Sequence, residues 1–400
     1  MKRALRELAA AINRADPEAA FVFKLWNGEV IEYGSRPKTT LVIKSSRVLG
    51  ELFSKGFLGF GEAYTEGGLE VEGDLQELLR LGIIGHFSKK ALLRQHLRLL
   101  PFYLKTMPTM KWSRKNIAHH YDLTAEFYSL FLDETLTYSC GYFTNENDSL
   151  ADAQHQKYEH IARKLMLSPE DTLVDVGCGW GGMLVHSALK HGISGVGITL
   201  SSNQHQHGCR KIEDLGLSDR IEVRLQDYRQ LAGKFDKFVS IGMFEHVGKR
   251  FIPAYMRQVF ELLKEGGIGL LHTISGELEY ATDAWTLRYI FPGGYIPSLS
   301  ETIREMGRAG LCVLDVEGLR MQYARTLDHW IANFERNIDK IQELFDERFV
   351  RMWRLYLNSS SASFKYGANR IYQILFTKGL NNHLPITREY MYKIRNENRF

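Results

Sequence analysis

From about Asp171 onward, short apolar runs alternate with segments of helical period. TLVDV, SGVGI, IEVRL, FDKFVSI and IGLLHTI have the length and β-branched content of buried strands. Between them the spacing predicts helices over 183–191, 202–215 and 252–264. Such alternation predicts an α/β fold, a mostly parallel Rossmann-like sheet with helices on both faces and its ligand at the carboxyl ends of the strands. RIYQILFTKG, near the C-terminus, predicts a late antiparallel edge strand.

The first hundred residues follow a different pattern. MKRALRELAAAINRADPEAA reads as an amphipathic helix, with charges interrupting the apolar core that a signal peptide would need. Asn27-Gly28 lies between two alternating segments and predicts a type I′ hairpin, which opens a small α+β domain. The glycine-rich stretch 53–68 predicts repeated breaks in regular structure. A linker-like PFYLKTMPTMKWSRKN places the boundary near residue 105, dividing the chain into 1–105 and 106–400.

With 44% apolar and 24% charged residues, the 400-residue chain is globular and long enough for two cores. Its four scattered cysteines form no disulfide framework, which favours a reducing compartment. No run approaches the roughly 18 apolar residues that span a bilayer, so membrane contact is expected to be peripheral. The net charge of +4 is unevenly spread. Between Leu78 and Tyr121 stand Arg80, Lys89, Lys90, Arg94, Arg98, Lys105, Lys111, Arg114 and Lys115, without one acid. Within this block SKKALLRQHLRLL forms a basic amphipathic helix suited to anionic lipid, or equally a solvated face whose leucines pack inward. No nucleic-acid motif accompanies the charge.

After the first of the strands comes Asp175-Val-Gly177-Cys-Gly179-Trp-Gly181-Gly182, a loop that opens a helix. Glycines permit the tight turn and a close ligand approach, and the helix N-terminus presents N–H groups. Gly177, Gly179 and Gly182 satisfy GxGxxG. A dinucleotide site would also want an acid at the end of the second strand, where this chain has Gly197-Ile-Thr199-Leu-Ser201. An acid two residues before GxGxG instead resembles the S-adenosylmethionine loop of class I methyltransferases. His205, His207 and Cys209 do not share one helical face, and neither CxxC nor HExxH occurs, so no metal is expected. No GxSxG elbow supports a hydrolase.

YSCGYF, VDVGCGWGG, GITLSSNQ, LQDYR, SIGMFEHVG, LHTI, YIFPGGYIPS and YLNSSSASF, in this order, resemble the cyclopropane fatty acid synthase family. The resemblance includes the N-terminal part, as in the phospholipid-acting synthases, and gives residues 1–105 a lipid-engaging and dimerisation role. It implies S-adenosylmethionine as cofactor, held by Tyr138, Ser139, Gly177, Gly179, Thr199, Gln204, Asp227 and Tyr228. It also implies bicarbonate as base, bound by Cys140, Glu245, His272, Ile274 and Tyr323. The expected reaction adds the cofactor's methyl carbon to a cis double bond of a phospholipid acyl chain and closes a cyclopropane ring. Tyr142, Phe143, Phe244, Tyr289 and Tyr323 are candidate rings for a cation cage, with core packing as the ordinary alternative. Where the family often has a cysteine in its YLN segment, this chain has Ser360, which is left out of the catalytic set. The implied setting is a cytoplasmic homodimer, peripheral at the inner membrane surface. Three readings compete: a lipid methyltransferase giving methylene or methyl-branched chains, a small-molecule N-methyltransferase, and a lipid-binding protein with a relict cofactor site.

Overall fold

A computed structural model describes residues 1–85, 123–279 and 281–392, and the chain divides into two compact units. The first comprises Met1–Pro108, Thr282–Gly293 and Leu327–Ala368. Helix Lys2–Ala15 buries Leu5, Ala9 and Ile12, the apolar stripe of the amphipathic pattern. Its sheet runs β2-β1-β3-β4, with β1 Phe21–Leu25, β2 Val30–Tyr33, β3 Thr39–Ile43 and β4 Leu69–Gly73. The β1–β2 hairpin forms at Asn27-Gly28, but its turn is not type I′. That turn needs positive φ at both central residues, and here Gly28 (φ 84°) has it while Asn27 does not. The Gly28 amide instead donates to the Leu25 carbonyl.

Two further expectations change in this unit. The glycine-rich stretch forms helices Ser46–Lys55 and Phe57–Thr65, broken only at Gly56. Gly59 and Gly61 serve close approach: a Cβ would lie 2.3 Å from the Glu51 carbonyl oxygen at the first and 2.3 Å from the Trp285 ring at the second. The unit is also discontinuous, because helix Glu347–Tyr366 packs on helices Phe57–Thr65 and Leu75–Ile84. The expected boundary near residue 105 and the basic helix at 88–100 lie outside the described residues. Arg80, at the start of the basic block, pairs with Asp16 and Glu77.

The second unit holds the predicted α/β sheet, in the order β10-β11-β9-β8-β5-β6-β7. Its strands are β5 Thr172–Val176, β6 Ser194–Thr199, β7 Ile221–Leu225, β8 Phe235–Ile241, β9 Leu263–Gly276, β10 Leu311–Gly318 and β11 Asn369–Lys378. From β9 to β7 all neighbours are parallel, while β11 runs antiparallel to both β9 and β10. β11 is therefore interior and not the edge. The edge is β10, LCVLDVEG, whose acids obscured its strand pattern. Those acids are paired: Asp315 with Arg388, and Glu317 with His160 and Lys164. Apolar clusters around Leu173, Leu184 and Leu270 and around Phe238, Met256 and Ile374 fill the layers against the helices. Among the described residues no helix is long and apolar enough to cross a membrane.

Candidate active site

After β7 the chain returns to place β8 beside β5, so β5 lies between β6 and β8. This reversal of strand order opens a crevice at the carboxyl ends. The pocket found there is lined by Tyr138, Ser139, Gly177, Gly179, Thr199, Gln204, Asp227 and Tyr228, all eight residues expected to hold the cofactor.

Each is positioned by local bonding. Gly177 (φ 89°) turns the chain out of β5, and a Cβ there would meet Met243 Cβ at 2.5 Å. At Gly179 (φ 54°) a Cβ would meet nothing within 4 Å, which leaves the backbone accessible to a ligand. At the end of β6, Thr199 Oγ1 donates to Gln204 Oε1 at 2.7 Å, and Ser201 caps helix Ser202–Asp214. Beyond β7, Asp227 accepts from the Arg229 amide and guanidinium, while Tyr228 packs edge-on against Tyr255. Tyr138 and Ser139 follow a buried knot in which Asp133 accepts from the Thr135 and Thr137 amides at 3.0 and 3.1 Å.

The residues expected to bind bicarbonate lie outside that lining and fall into three placements. Glu245, just after β8, accepts from the Ile274 amide at 2.6 Å through Oε1, while its buried Oε2 has no partner. Burial raises its carboxyl to about 7. His272 stands two residues before Ile274 on β9, on the same face. Its Nδ1 accepts from the Gln373 amide nitrogen at 3.1 Å, so the ring proton sits on Nε2, which is buried without a partner. Burial pulls this imidazole well below its usual range, keeping it neutral. Cys140 and Tyr323 are brought together indirectly. The Gly141 amide donates to Thr326 Oγ1 at 2.9 Å and the Phe143 amide to Gln322 Oε1 at 2.7 Å, fastening the Cys140 segment to the helix that carries buried Tyr323. Cys140 is fully buried, and burial pushes its thiol far up.

The other candidate rings have packing partners. Tyr142 stacks on His160 at 4.2 Å, Phe143 lies under Arg325, Phe244 meets Tyr255, and Tyr289 donates to Glu62. The rings that line the pocket are Tyr138, Tyr158, Trp180, Tyr228 and Phe251. Sequence reading also missed Lys157, His246 and Gln373. The first stands three residues after Gln154 on helix Leu150–Leu165, so both face one side, and that i, i+3 polar pair on a face that also carries Leu150 and Ile161 was the available signal. His207 packs edge-on against Trp180, away from the His205–Cys209 pair. Outside the lining, Glu159 Oε2 lies 3.3 Å from His186 Nε2 and 3.1 Å from His191 Nε2, with Arg163 on its other oxygen.

A family model described as mycolic acid cyclopropane synthetase matches residues 109–374, which contain the whole of this site. The chain belongs to the mycolic acid cyclopropane synthetase family. A second model, described as a domain of unknown function, matches residues 12–88. A probable fatty acid methyltransferase of Pseudomonas putida is 37% identical, over 92% of this chain and 95% of the relative. The cyclopropane-fatty-acyl-phospholipid synthase of Escherichia coli K12 is 33% identical, over 89% of this chain and 92% of the relative. The crystal structure of mycolic acid cyclopropane synthase CmaA1 complexed with SAH and CTAB superposes with a TM-score of 0.64 at 33% identity, covering 68% of this chain and 99% of that one. Like that synthase, this family member has the class I S-adenosylmethionine-dependent methyltransferase fold.

Proposed function

We propose that this protein adds the methyl carbon of S-adenosylmethionine to the cis double bond of unsaturated acyl chains in membrane phospholipids, closing a cyclopropane ring. The pairing of an orphaned acceptor with an orphaned donor carries the reading. Glu245 Oε2 and His272 Nε2–H are both buried and unbonded; His272 pairs with Ile241 at the end of β8, and Glu245, four residues beyond that end, bonds the Ile274 amide. Bicarbonate, with one O–H and acceptor oxygens, matches such a set, and Glu245, His272, the Ile274 amide, Cys140 and Tyr323 would hold it. When bound there it supplies a base for the proton lost from the new methyl group.

The protein's part is positioning and exclusion of water. S-adenosylmethionine supplies the methyl carbon, and an alkene is so poor a nucleophile that alignment must provide much of the rate. Gly177, Gly179, Thr199 and Gln204 fix the cofactor's end of the pocket, and Asp227 and Tyr228 offer hydrogen bonds and a ring face for the nucleoside.

Phospholipid as substrate is supported by the length of the likeness. The Escherichia coli phospholipid synthase aligns with 89% of this chain, whereas the mycolic acid enzyme's whole length covers only 68%. A homodimer, peripheral at the inner membrane surface, completes the proposal. The Pseudomonas putida relative, a probable fatty acid methyltransferase, favours a second reading in which a methylene or methyl-branched chain is the product. Vesicles containing cis-unsaturated phospholipid, incubated with enzyme and cofactor, decide between them. Ring protons in the product's NMR spectrum support the first, and a branched product without them supports the second.

A further inference from the structure

A second polar cluster lies outside the cofactor pocket. Glu159 stands on helix Leu150–Leu165, and His186 and His191 on helix Gly182–His191, which the glycine loop opens. Glu159 Oε2 lies 3.3 Å from His186 Nε2 and 3.1 Å from His191 Nε2, and the three ligand atoms all fall within 4.8 Å of one another. Hydrogen bonding to His186 and His191 holds the Glu159 carboxyl well below its usual range, so it is an anion at neutral pH. Arg163 Nε donates to the other oxygen, Oε1, at 2.9 Å, which orients the carboxylate and leaves Oε2 to the imidazoles. The side chains of Glu159, His186 and His191 are 30%, 10% and 20% exposed, so an ion and a water can reach them from solvent.

The spacing favours coordination over an ordinary ion pair. Charge-assisted N–H···O bonds close to about 2.7–2.9 Å, whereas a tetrahedral ion with bonds of about 2.0–2.1 Å sets its ligand atoms about 3.3–3.4 Å apart. The observed 3.1 and 3.3 Å exceed the first and approach the second. We propose that Glu159, His186 and His191 bind one divalent transition ion of the zinc class, with water as the fourth ligand. Two imidazole nitrogens and one carboxylate oxygen suit zinc, nickel or copper, and not calcium or magnesium, which take oxygen ligands. The motifs that excluded a metal in the sequence could not show this set, because the histidines are five residues apart and the acid belongs to another helix. None of the three lines the cofactor pocket, so the ion's part is to brace the two helices beside it. Lys157 and Tyr158 line the pocket from the first helix, Gly182 and Met183 from the second.

Calorimetry on the full chain, stripped with chelator and titrated with Zn²⁺ alone, tests this. Wild type should bind one ion per chain with a Kd of about 0.1 mM or tighter. Its melting temperature should rise with Zn²⁺, because an ion held only by the folded state stabilises that state. His191→Ala and Glu159→Gln should each weaken the binding by about 100-fold, the upper end of what losing even an outer partner of a metal costs. Both variants should also lose the Zn²⁺-dependent rise in melting temperature. Co²⁺ in place of Zn²⁺ should give wild type the visible bands of a tetrahedral centre, and the variants none. Wild type that binds Zn²⁺ no tighter than about 0.1 mM overturns the inference without any variant. So does binding that both variants retain, which would mark an adventitious ion only. Variants that melt lower than wild type by the same amount with and without Zn²⁺ would mark a plain ion pair, and overturn it as well.

Discussion

Glu245 and Ile274, far apart in the chain, meet where the Ile274 amide donates to Glu245 Oε1 at 2.6 Å. The bond fixes the carboxyl's orientation but leaves Oε2 buried and unbonded. Glu245→Gln keeps an acceptor for Ile274 and loses the acid, so activity should fall by about 100-fold, the weight of a positioned acid–base group.

The same variant has a stability signature. Burial raises Glu245 from its ordinary 4.5 to about 7, so the folded state holds this proton more tightly than the unfolded chain. The group's contribution is therefore most favourable below about 4.5 and is lost as pH rises through about 7. Glutamine escapes this loss. The melting temperature of Glu245→Gln minus that of wild type should increase by about 2 °C or more between acidic and mildly alkaline buffer. An unchanged difference would mean that the carboxyl is not raised.

Gly177 and Gly179 should tolerate alanine differently. Both have positive φ, but only at Gly177 would the new Cβ collide, 2.5 Å from Met243 Cβ. Gly177→Ala should cost about 2–4 kcal/mol through strain and overpacking combined. Gly179→Ala should cost about 1–2 kcal/mol from backbone strain alone. Chemical denaturation measures both, and equal costs would contradict this ordering.

Thr326 supplies the acceptor for the buried Gly141 amide. Thr326→Val leaves that amide unsatisfied at a cost of about 1–3 kcal/mol, and loosens the Cys140 segment from the helix carrying Tyr323. Denaturant titration should register the loss, with a larger fractional fall in turnover than in cofactor affinity.

Cys140 is too deeply buried, and its thiol too far raised, to act as a thiolate. Folded enzyme should resist iodoacetamide at this position in peptide mapping. Cys140→Ser should lower turnover yet retain about a tenth or more, as befits a neighbour of the reacting groups and not a nucleophile. Complete loss, with fold and cofactor binding intact, would restore the covalent reading.

What the sequence determined by itself was local. Apolar runs of strand length, helical periods between them and glycines where β5 meets its helix are encoded within a few residues of where they act. The eight residues that the family resemblance assigns to the cofactor each lie at or just beyond a strand end or on the segment leading into helix Leu150–Leu165, and one sheet gathers those ends. Tertiary structure decided the rest. Gly59 and Gly61 look like helix breakers until Glu51 and Trp285 pack on them. β10 looks polar until Arg388, His160 and Lys164 neutralise its acids. Gln373 fixes the His272 tautomer across the β9–β11 pairing, and Lys157 becomes notable only because the fold buries it in the pocket wall beside Ser139. Burial, pairing and desolvation belong to residues distant in the chain, so no local pattern can carry them.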